Sequence, residues 1–305
     1  MRSFRLSFFL VTAQLCSFFL LAIPAAAQFT IGSGNAVQVP DIANEGSGPL
    51  DPSQPKGITP QEIIQKFSAK EDDFKRARDQ YTWTEDIKYQ ELDGDSIVGE
   101  FRQVSDIIYD EHGRRLEQVK FAPQTSLYIT KEDMDDLRKR TAFLLTTEEL
   151  PKYQVMYVGQ QKVDELQTYV FDIAPKTIEK DQRYFQGRIW VDTQDLEVVK
   201  TYGKGVPDIG LNLSPKKKKK HPEDEQLFPH FVTYREQIDG KYWFPTYSKA
   251  DEVLHFYVGD AHVKAVVKYT DYKRFGADTK ILYGKQEIGN APQSSNSGNQ
   301  AAQPK

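Results

Sequence analysis

Two histidines and a carboxylate near the end of the chain have the residue types of a metal site. His255, His262 and Asp251 fall on one face of a predicted β-ribbon, and three such side chains can bind zinc. The third ligand would lie two pleats away, however, and no short fixed spacing such as HExxH occurs. The pattern therefore favours the polar, solvated face of a sheet, and we predict no metal site and no cofactor.

Carboxylate pairs are the second candidate chemistry, because a glycoside hydrolase works with two of them. The pairs are Asp135-Asp136, Asp192 with Asp195, and Asp251-Glu252. In a chain with 44 acidic residues such pairs arise by chance, and the Asp192 pair fits a turn. No G-x-S-x-G, phosphate loop or dinucleotide motif is present. We predict no catalytic residues and no enzymatic activity, with a glycan hydrolase as the weaker alternative.

The elements that hold these side chains begin with one clear helix. Thr59 is a predicted N-cap, Pro60 follows at the first helical position, and Glu62 completes a capping box. The apolar residues recur at helical spacing and predict one buried face that ends near Asp79. These residues are Ile63, Ile64, Phe67 and Phe74, with Ala69 and Ala77 beside them.

After the helix, apolar and polar residues alternate, which is typical of β-strands. The alternation starts at Tyr81, and the later strands are expected at 97–109, 114–121, 153–158, 166–174, 183–192 and 196–202. The charged stretch from Lys131 to Arg140 predicts a helix that crosses between strands. The sequence thus indicates a largely antiparallel sheet with helices.

Two hairpins have readable turns. The Asp239-Gly240 pair predicts a type I′ turn with Ile238 opposite Lys241. The Gly259-Asp260 pair predicts a second turn, with Val258 opposite Ala261 and Leu254 opposite Ala265. This register leaves one apolar face and one polar face.

The first 27 residues have the three-part layout of a cleavable secretory signal. Arg2 and Arg5 precede an apolar run over 6–23, and three alanines follow at 25–27. This layout predicts a periplasmic protein without a stable transmembrane anchor. The alternatives are a secreted protein, or one tethered by an uncleaved N-terminal segment, because the apolar run is long enough to be considered as an anchor.

The rest of the chain divides by composition. Residues 28–58 and 284–305 are rich in small and polar residues, which predicts a flexible leader and a disordered tail. One domain over 59–283 is left between them. Within it, Lys216 to Lys220 lie in a predicted loop near 214–227, whose role the sequence leaves open.

Charge and cysteine content exclude several function classes. The first 27 residues hold two of the 40 basic residues, none of the 44 acidic residues and the single cysteine. The chain after them is therefore acidic, with a formal charge of −6, and has no thiol. Disulfides, a cysteine-bound metal and a thiol nucleophile are excluded, and a nucleic-acid partner is disfavoured.

Several strand segments resemble the LolA-like superfamily of outer-membrane lipoprotein-sorting proteins, which includes LolB-like receptors and the sensor domain of RseB-like regulators. The likeness lies in residues 169–175, 185–192 and 196–200, and in the later hairpin 239–246 with Asp-Gly at its turn. It covers about half of the predicted domain.

This resemblance implies an α+β fold in which a strongly curved antiparallel β-sheet, an incomplete barrel, has helices covering its concave face. It also implies an apolar cavity for lipid or lipoprotein acyl chains. For the lining we predict the apolar faces of two hairpins: Ile189, Val191, Leu196, Val198, Leu254, Phe256 and Val263. Trp190 points to the opposite face from Ile189.

Two roles agree with such a fold. A carrier binds acyl chains and releases them by switching between open and closed states. A sensor or regulatory module instead binds an envelope protein partner. The identity of the ligand, the partner and the oligomeric state do not follow from the sequence.

Overall fold

One ten-stranded sheet and one long helix dominate the computed structural model, which describes residues 41–110, 114–127, 143–180, 182–207, 228–256 and 259–275. The helices are α1 (Asp41–Asn44) and α2 (Pro60–Arg78), and a 3₁₀ turn covers Leu150–Lys152. The strands are β1 (Tyr81–Asp93), β2 (Ser96–Tyr109), β3 (Arg115–Phe121), β4 (Tyr153–Val163), β5 (Leu166–Pro175), β6 (Tyr184–Asp192), β7 (Val198–Val206), β8 (Phe231–Ile238), β9 (Tyr242–Phe256) and β10 (Gly259–Arg274).

The predicted capping box starts helix α2. The Thr59 hydroxyl accepts a hydrogen bond from the Glu62 amide at 3.2 Å, and the Glu62 carboxylate accepts one from the Thr59 amide at 2.8 Å. The predicted apolar residues Ile63, Ile64 and Phe67 are buried on the face that meets the sheet. Both ends of this helix and its buried face are confirmed, except that Ala69 is exposed.

The strands follow the order β3-β2-β1-β10-β9-β8-β7-β6-β5-β4, and every neighbouring pair is antiparallel. Strands β3 and β4 are the two edges, so the sheet is open. The predicted antiparallel sheet is confirmed in this coarse form. Among the described residues it is accompanied by a single long helix, so the fold is mostly β.

The two halves of the sheet are covered differently. Strands β5, β6 and β7 are buried on both faces: Ile189 packs below α2, and Trp190 packs on the opposite face with Ala43 of α1. Strand β1 instead alternates between buried and partly exposed positions. Its outward face is polar, with Asp86 paired to Arg102 of β2 at 2.9 Å. This half thus has the one dry and one wet face expected of an antiparallel sheet.

The first predicted hairpin has the predicted turn but a different register. Asp239 and Gly240 both have positive φ, and the Lys241 amide donates to the Ile238 carbonyl at 3.1 Å, as in a type I′ turn. The ladder begins with Ile238 opposite Tyr242 rather than Lys241. The extra residue puts Phe244, fully buried, into a cluster with α2, and that burial outweighs the ideal two-residue loop.

The register predicted for the last hairpin is wrong. Gly259 pairs with Phe256, and Leu254 pairs with Ala261, so Gly259 and Asp260 lie in strand β10. Strand β10 pairs with both β9 and β1 along most of its length. The hydrogen bonds of these two ladders outweigh the local preference of Gly259 and Asp260 for a turn. The shift is an even number of residues. Each side chain therefore keeps its predicted face, and Leu254 and Ala265 are buried.

The second half of the predicted flexible leader follows the edge of the sheet. The amides of Gly48 and Asp51 donate to the carbonyls of Lys162 and Gln160 of β4, each at 2.8 Å. The segment lacks apolar runs, but its backbone forms hydrogen bonds with edge strand β4, whose outer backbone groups would otherwise have no partner in the sheet. Residues 41–53, here called the edge segment, therefore have a defined place that composition does not indicate.

A buried lysine joins the edge segment to the sheet. The Lys200 ammonium donates to the Ser47 hydroxyl at 3.1 Å and to the Glu45 carbonyl at 3.3 Å. It also lies 4.9 Å from the centre of the Trp190 ring. Burial lowers the pKa of Lys200 to about 8. The hydrogen bonds and the aromatic faces compensate in part for burying a charge.

Several predicted segments lie outside the described residues. They are the signal 1–27, the leader up to residue 40, the helix from Lys131 to Arg140, the lysine-rich loop near 214–227 and the tail 284–305. In the described part of the chain, no helix has both the length and the apolar character needed to cross a membrane.

We expect Gly159→Ala to detach the edge segment from β4. Gly159 has φ +154°, and a Cβ there would lie 2.3 Å from the Asp51 carbonyl oxygen. Hydrogen exchange and limited proteolysis should report faster exchange and cleavage within residues 46–53. Gly240→Ala is the matched control, since Gly240 also has positive φ but no atom near a new Cβ. That variant should cost about 1 kcal/mol of stability without releasing the segment. Unchanged protection in Gly159→Ala would contradict the proposed role of this glycine.

Candidate functional site

Helix α2 lies on one face of the sheet, which we call the helix-side face. Beneath its first half is an apolar cluster, and the rings of Phe67 and Phe171 are 5.7 Å apart there. The buried members are Ile63, Ile64, Phe67, Leu145, Tyr153, Val155, Tyr169, Phe171, Ile173, Tyr184, Ile189, Val191, Val198 and Val206. In this conformation the helix packs directly onto strands β4 to β7.

The structure divides the seven predicted lining residues between two places. Ile189, Val191 and Val198 are buried under α2, with Leu196 partly buried beside them. Two others, Leu254 and Val263, lie on the helix-side face of β9 and β10. The side chain of Phe256 falls outside the described residues. The structure thus brings four of the seven together, and their role as a ligand lining stays a prediction.

A buried ion pair fixes the middle of α2 to the sheet. Arg235 of β8 donates to the two carboxylate oxygens of Glu71 at 2.6 and 3.3 Å, and also to the Phe143 carbonyl at 3.2 Å. The side chains of Glu71 and Arg235 are only 1% and 3% exposed. Sequence reasoning missed this pair. The signal was an acidic residue inside the apolar stripe of the helix, at position i+4 from Phe67 and i−3 from Phe74.

A second carboxylate lies close to this pair. Glu197, immediately before β7, is buried, and its nearest cation is the Lys70 ammonium at 3.7 Å. Burial raises the pKa of Glu197 to about 7, and the negative charge of Glu71 adds to the effect. The group therefore changes charge near neutral pH.

A polar cleft of about 380 Å³ opens at the second half of α2. Buried Glu197 and Ala77 form its floor, and the exposed residues form its rim. The rim carries Lys70, Asp73, Arg76, Gln80, Lys241 and Arg274, with Tyr242 partly buried between them. The cleft is placed by the end of the helix, the β8–β9 turn and the end of β10.

A second apolar surface lies on the helix-side face of β1, β2, β8, β9 and β10, and we call it the aromatic face. Its buried residues are Trp83, Ile87, Ile107, Phe231, Ala250, Ala265, Val267 and Tyr269. Tyr89 and Phe101 are partly exposed, and Tyr89 makes an edge contact with Phe231 at 6.5 Å between ring centres. No residue of α2 belongs to this cluster.

The two candidate zinc ligands contact different carboxylates. His262 lies 2.6 Å from Asp251, whereas His255 lies 2.8 Å from Asp260. No three His, Asp or Glu side chains within the described ranges are grouped closely enough to hold a metal ion.

The acidic pairs that lie in the described residues have structural partners. Asp192 accepts hydrogen bonds from the amides of Gln194 and Asp195 at 2.9 and 2.8 Å, which is the predicted turn. Asp195 accepts from the Trp243 indole at 3.2 Å. Glu252 accepts from the His230 amide at 2.8 Å. These carboxylates stabilise loops and strand ends, and the Asp135 pair lies outside the described residues.

No family model and no curated protein match the sequence. Among solved structures, a DUF1329 family protein from Desulfovibrio piger is similar over 72% of this chain and 98% of its own, with 10% identity and a TM-score of 0.32. A putative outer membrane lipoprotein-sorting protein domain from Vibrio parahaemolyticus covers 68% of this chain and 92% of its own, with 13% identity and a TM-score of 0.31.

MucB in its complex with MucA from Pseudomonas aeruginosa is similar over 68% of this chain and 99% of its own, with 11% identity and a TM-score of 0.20. Because these TM-scores are below 0.5, the likenesses carry no argument about what this chain binds.

Glu71→Gln should destabilise the protein by about 3–5 kcal/mol, because it leaves Arg235 charged and buried without its partner. The double variant Glu71→Leu with Arg235→Leu removes both charges and should recover most of that loss. Urea unfolding of the single and double variants compares the two losses. Equal losses would contradict this account, because removing the second charge would then recover no stability.

Glu197→Gln should remove a pH dependence of stability. The folded pKa of Glu197 is raised above the unfolded value, so its stabilising contribution is complete at low pH and is lost as the pH rises through about 7. At pH 8 the variant should be more stable than the natural protein, on the order of 1–2 kcal/mol, with little difference at pH 4.5. Glu148→Gln, at an exposed carboxylate, is the control for urea unfolding at both pH values. A variant that is less stable at pH 8 would contradict this account.

Proposed function

We propose that this chain is an exported, non-enzymatic protein of the cell envelope that works in the periplasm. It binds a hydrophobic ligand, either a lipid or the acyl chains of a lipoprotein, and carries it. The observation that carries the proposal is the aromatic face, an apolar sheet surface on which the long helix does not pack.

The chemistry of the aromatic face suits an acyl chain. Tyr89 and Phe101 lie opposite each other on β1 and β2, and both are partly exposed. Ile87 and Val267 continue the same face towards β10. Ile87 and Val267 are already buried, so an acyl chain would cover the rings of Tyr89 and Phe101, at about 25 cal/mol per Å² of apolar surface. The phenol of Tyr89 also gives the surface a polar rim.

Release requires a second state, which we propose involves α2. In the observed state the helix covers the predicted lining residues Ile189, Val191, Leu196 and Val198. Movement of the helix would expose them on the same face of the sheet as Leu254 and Val263. In this proposal the sheet is strongly curved, its concave face is the helix-side face, and ligand affinity differs between the covered and uncovered states.

A regulatory module that binds an envelope protein is the second candidate, and one observation favours it. The edge strand β3 exposes apolar side chains, with Leu116, Val119 and Phe121 exposed by 38%, 51% and 49%. A partner strand can add to such an edge through its backbone.

Native purification from the envelope fraction, followed by mass spectrometry of extracted lipids, separates the two candidates. A carrier should retain lipid or acylated peptide at near-stoichiometric amounts. A regulatory module should instead retain one protein in constant ratio, with lipid bound only as a signal.

We expect Phe101→Ala to weaken the binding of a fluorescent fatty acid by about tenfold, because it removes a partly exposed ring from the aromatic face. Arg102→Ala is the matched control. Arg102 follows Phe101 in the chain, but its side chain points to the polar face and pairs with Asp86. Fluorescence titration at constant pH measures both affinities, and circular dichroism checks the fold. Equal affinities in the two variants would rule out the aromatic face as the binding surface.

A further inference from the structure

The polar cleft at the end of α2 carries opposite charges at two depths. A carboxylate lies at its floor and several cations lie on its rim. At about 380 Å³ the cleft is in the range of small-ligand sites, and it is too small for a whole lipid.

Within the described residues, the Glu197 carboxylate at the floor has an ion-pair partner but no hydrogen-bond donor. Glu197 is 6% exposed, and Lys70 at 3.7 Å is too distant for a hydrogen bond. Neighbouring Glu71 is already satisfied by Arg235, so it only adds negative charge at the floor. A ligand ammonium that donates hydrogen bonds to Glu197 would stabilise the charged carboxylate.

Two of the four cations on the rim, Arg274 and Lys241, have neutral partners. Arg274 donates to the side-chain oxygen of Gln80 at 3.0 Å, and the Lys241 ammonium lies 4.9 Å from the centre of the Tyr242 ring. Within the described residues neither cation has a carboxylate at salt-bridge distance. A phosphate can therefore bind both of them without displacing an ion pair.

The cleft also borders apolar surface. Ala77 and Tyr242 line it, and both pack in an apolar cluster with Phe74, Tyr81 and Phe244. The cluster itself is buried, so the partly exposed ring of Tyr242 is the apolar surface that a ligand in the cleft can contact.

We propose that this cleft binds the phosphoethanolamine headgroup of a lipid, with the ammonium on Glu197 and the phosphate on Lys241 and Arg274. This inference rests on the proposed function, and it names the class of lipid. A choline group has no N–H to donate to the carboxylate, and a glycerol headgroup has no cation, so both should bind less tightly.

The test is isothermal titration of the full chain after the signal with three dihexanoyl phospholipids below their micelle concentrations. Phosphatidylethanolamine should bind at least about tenfold more tightly than phosphatidylcholine or phosphatidylglycerol. Glu197→Gln should abolish this preference, and Lys241→Met with Arg274→Met should weaken all three lipids by about tenfold. Lys268→Met, at an exposed lysine of β10, should change nothing.

Equal affinities for the three lipids would overturn the headgroup assignment, as would an intact preference in Glu197→Gln. The fluorescent fatty acid, which has no such headgroup, tests the proposed function separately. Normal fatty-acid binding with no headgroup preference would overturn only this inference. Absence of fatty-acid binding and of copurified lipid would overturn the proposed function itself.

Discussion

The buried ion pair between Glu71 and Arg235 sets how helix α2 sits on the sheet. Two charges removed from water require close partners, and here the guanidinium reaches both carboxylate oxygens and a backbone carbonyl. Apolar clusters fill the space on either side of the pair, around Phe67 towards the start of the helix and around Phe74 towards its end. A helix fixed at this point has little freedom to slide, so lifting it would have to break the pair.

The same arrangement explains why the sheet has two unlike halves. Where α2 and the edge segment cover opposite faces, β5 to β7 are buried on both sides and carry the predicted residues Ile189 and Val191. Beyond the helix, the sheet keeps one polar face and one aromatic face. Packing on both faces stabilises the first half, and in the second half Tyr89 and Phe101 stay partly exposed on the aromatic face. The polar cleft lies at the end of the helix, close to Glu71.

Local patterns predicted the elements well and their pairing less well. The capping box at Thr59 and the positive-φ turn at Asp239 depend on a few neighbouring residues, and both occur as predicted. The register of β9 and β10 depends on two long ladders at once, and the local Gly259-Asp260 signal gave the wrong pairing. The buried positions of Glu71, Glu197 and Lys200 were not predicted, because a charged side chain is normally solvated.

By itself the sequence determined the helix, the alternation of strands and the absence of a thiol after residue 27, since each of these depends only on local order or composition. The tertiary structure alone decided which charges are buried and what the edge segment covers. It also decided which predicted lining residues meet. These depend on contacts between residues far apart in the chain, such as Glu71 with Arg235 and Lys200 with Ser47. The residues next to Glu71 or Lys200 in the sequence do not indicate which distant residue will be its partner.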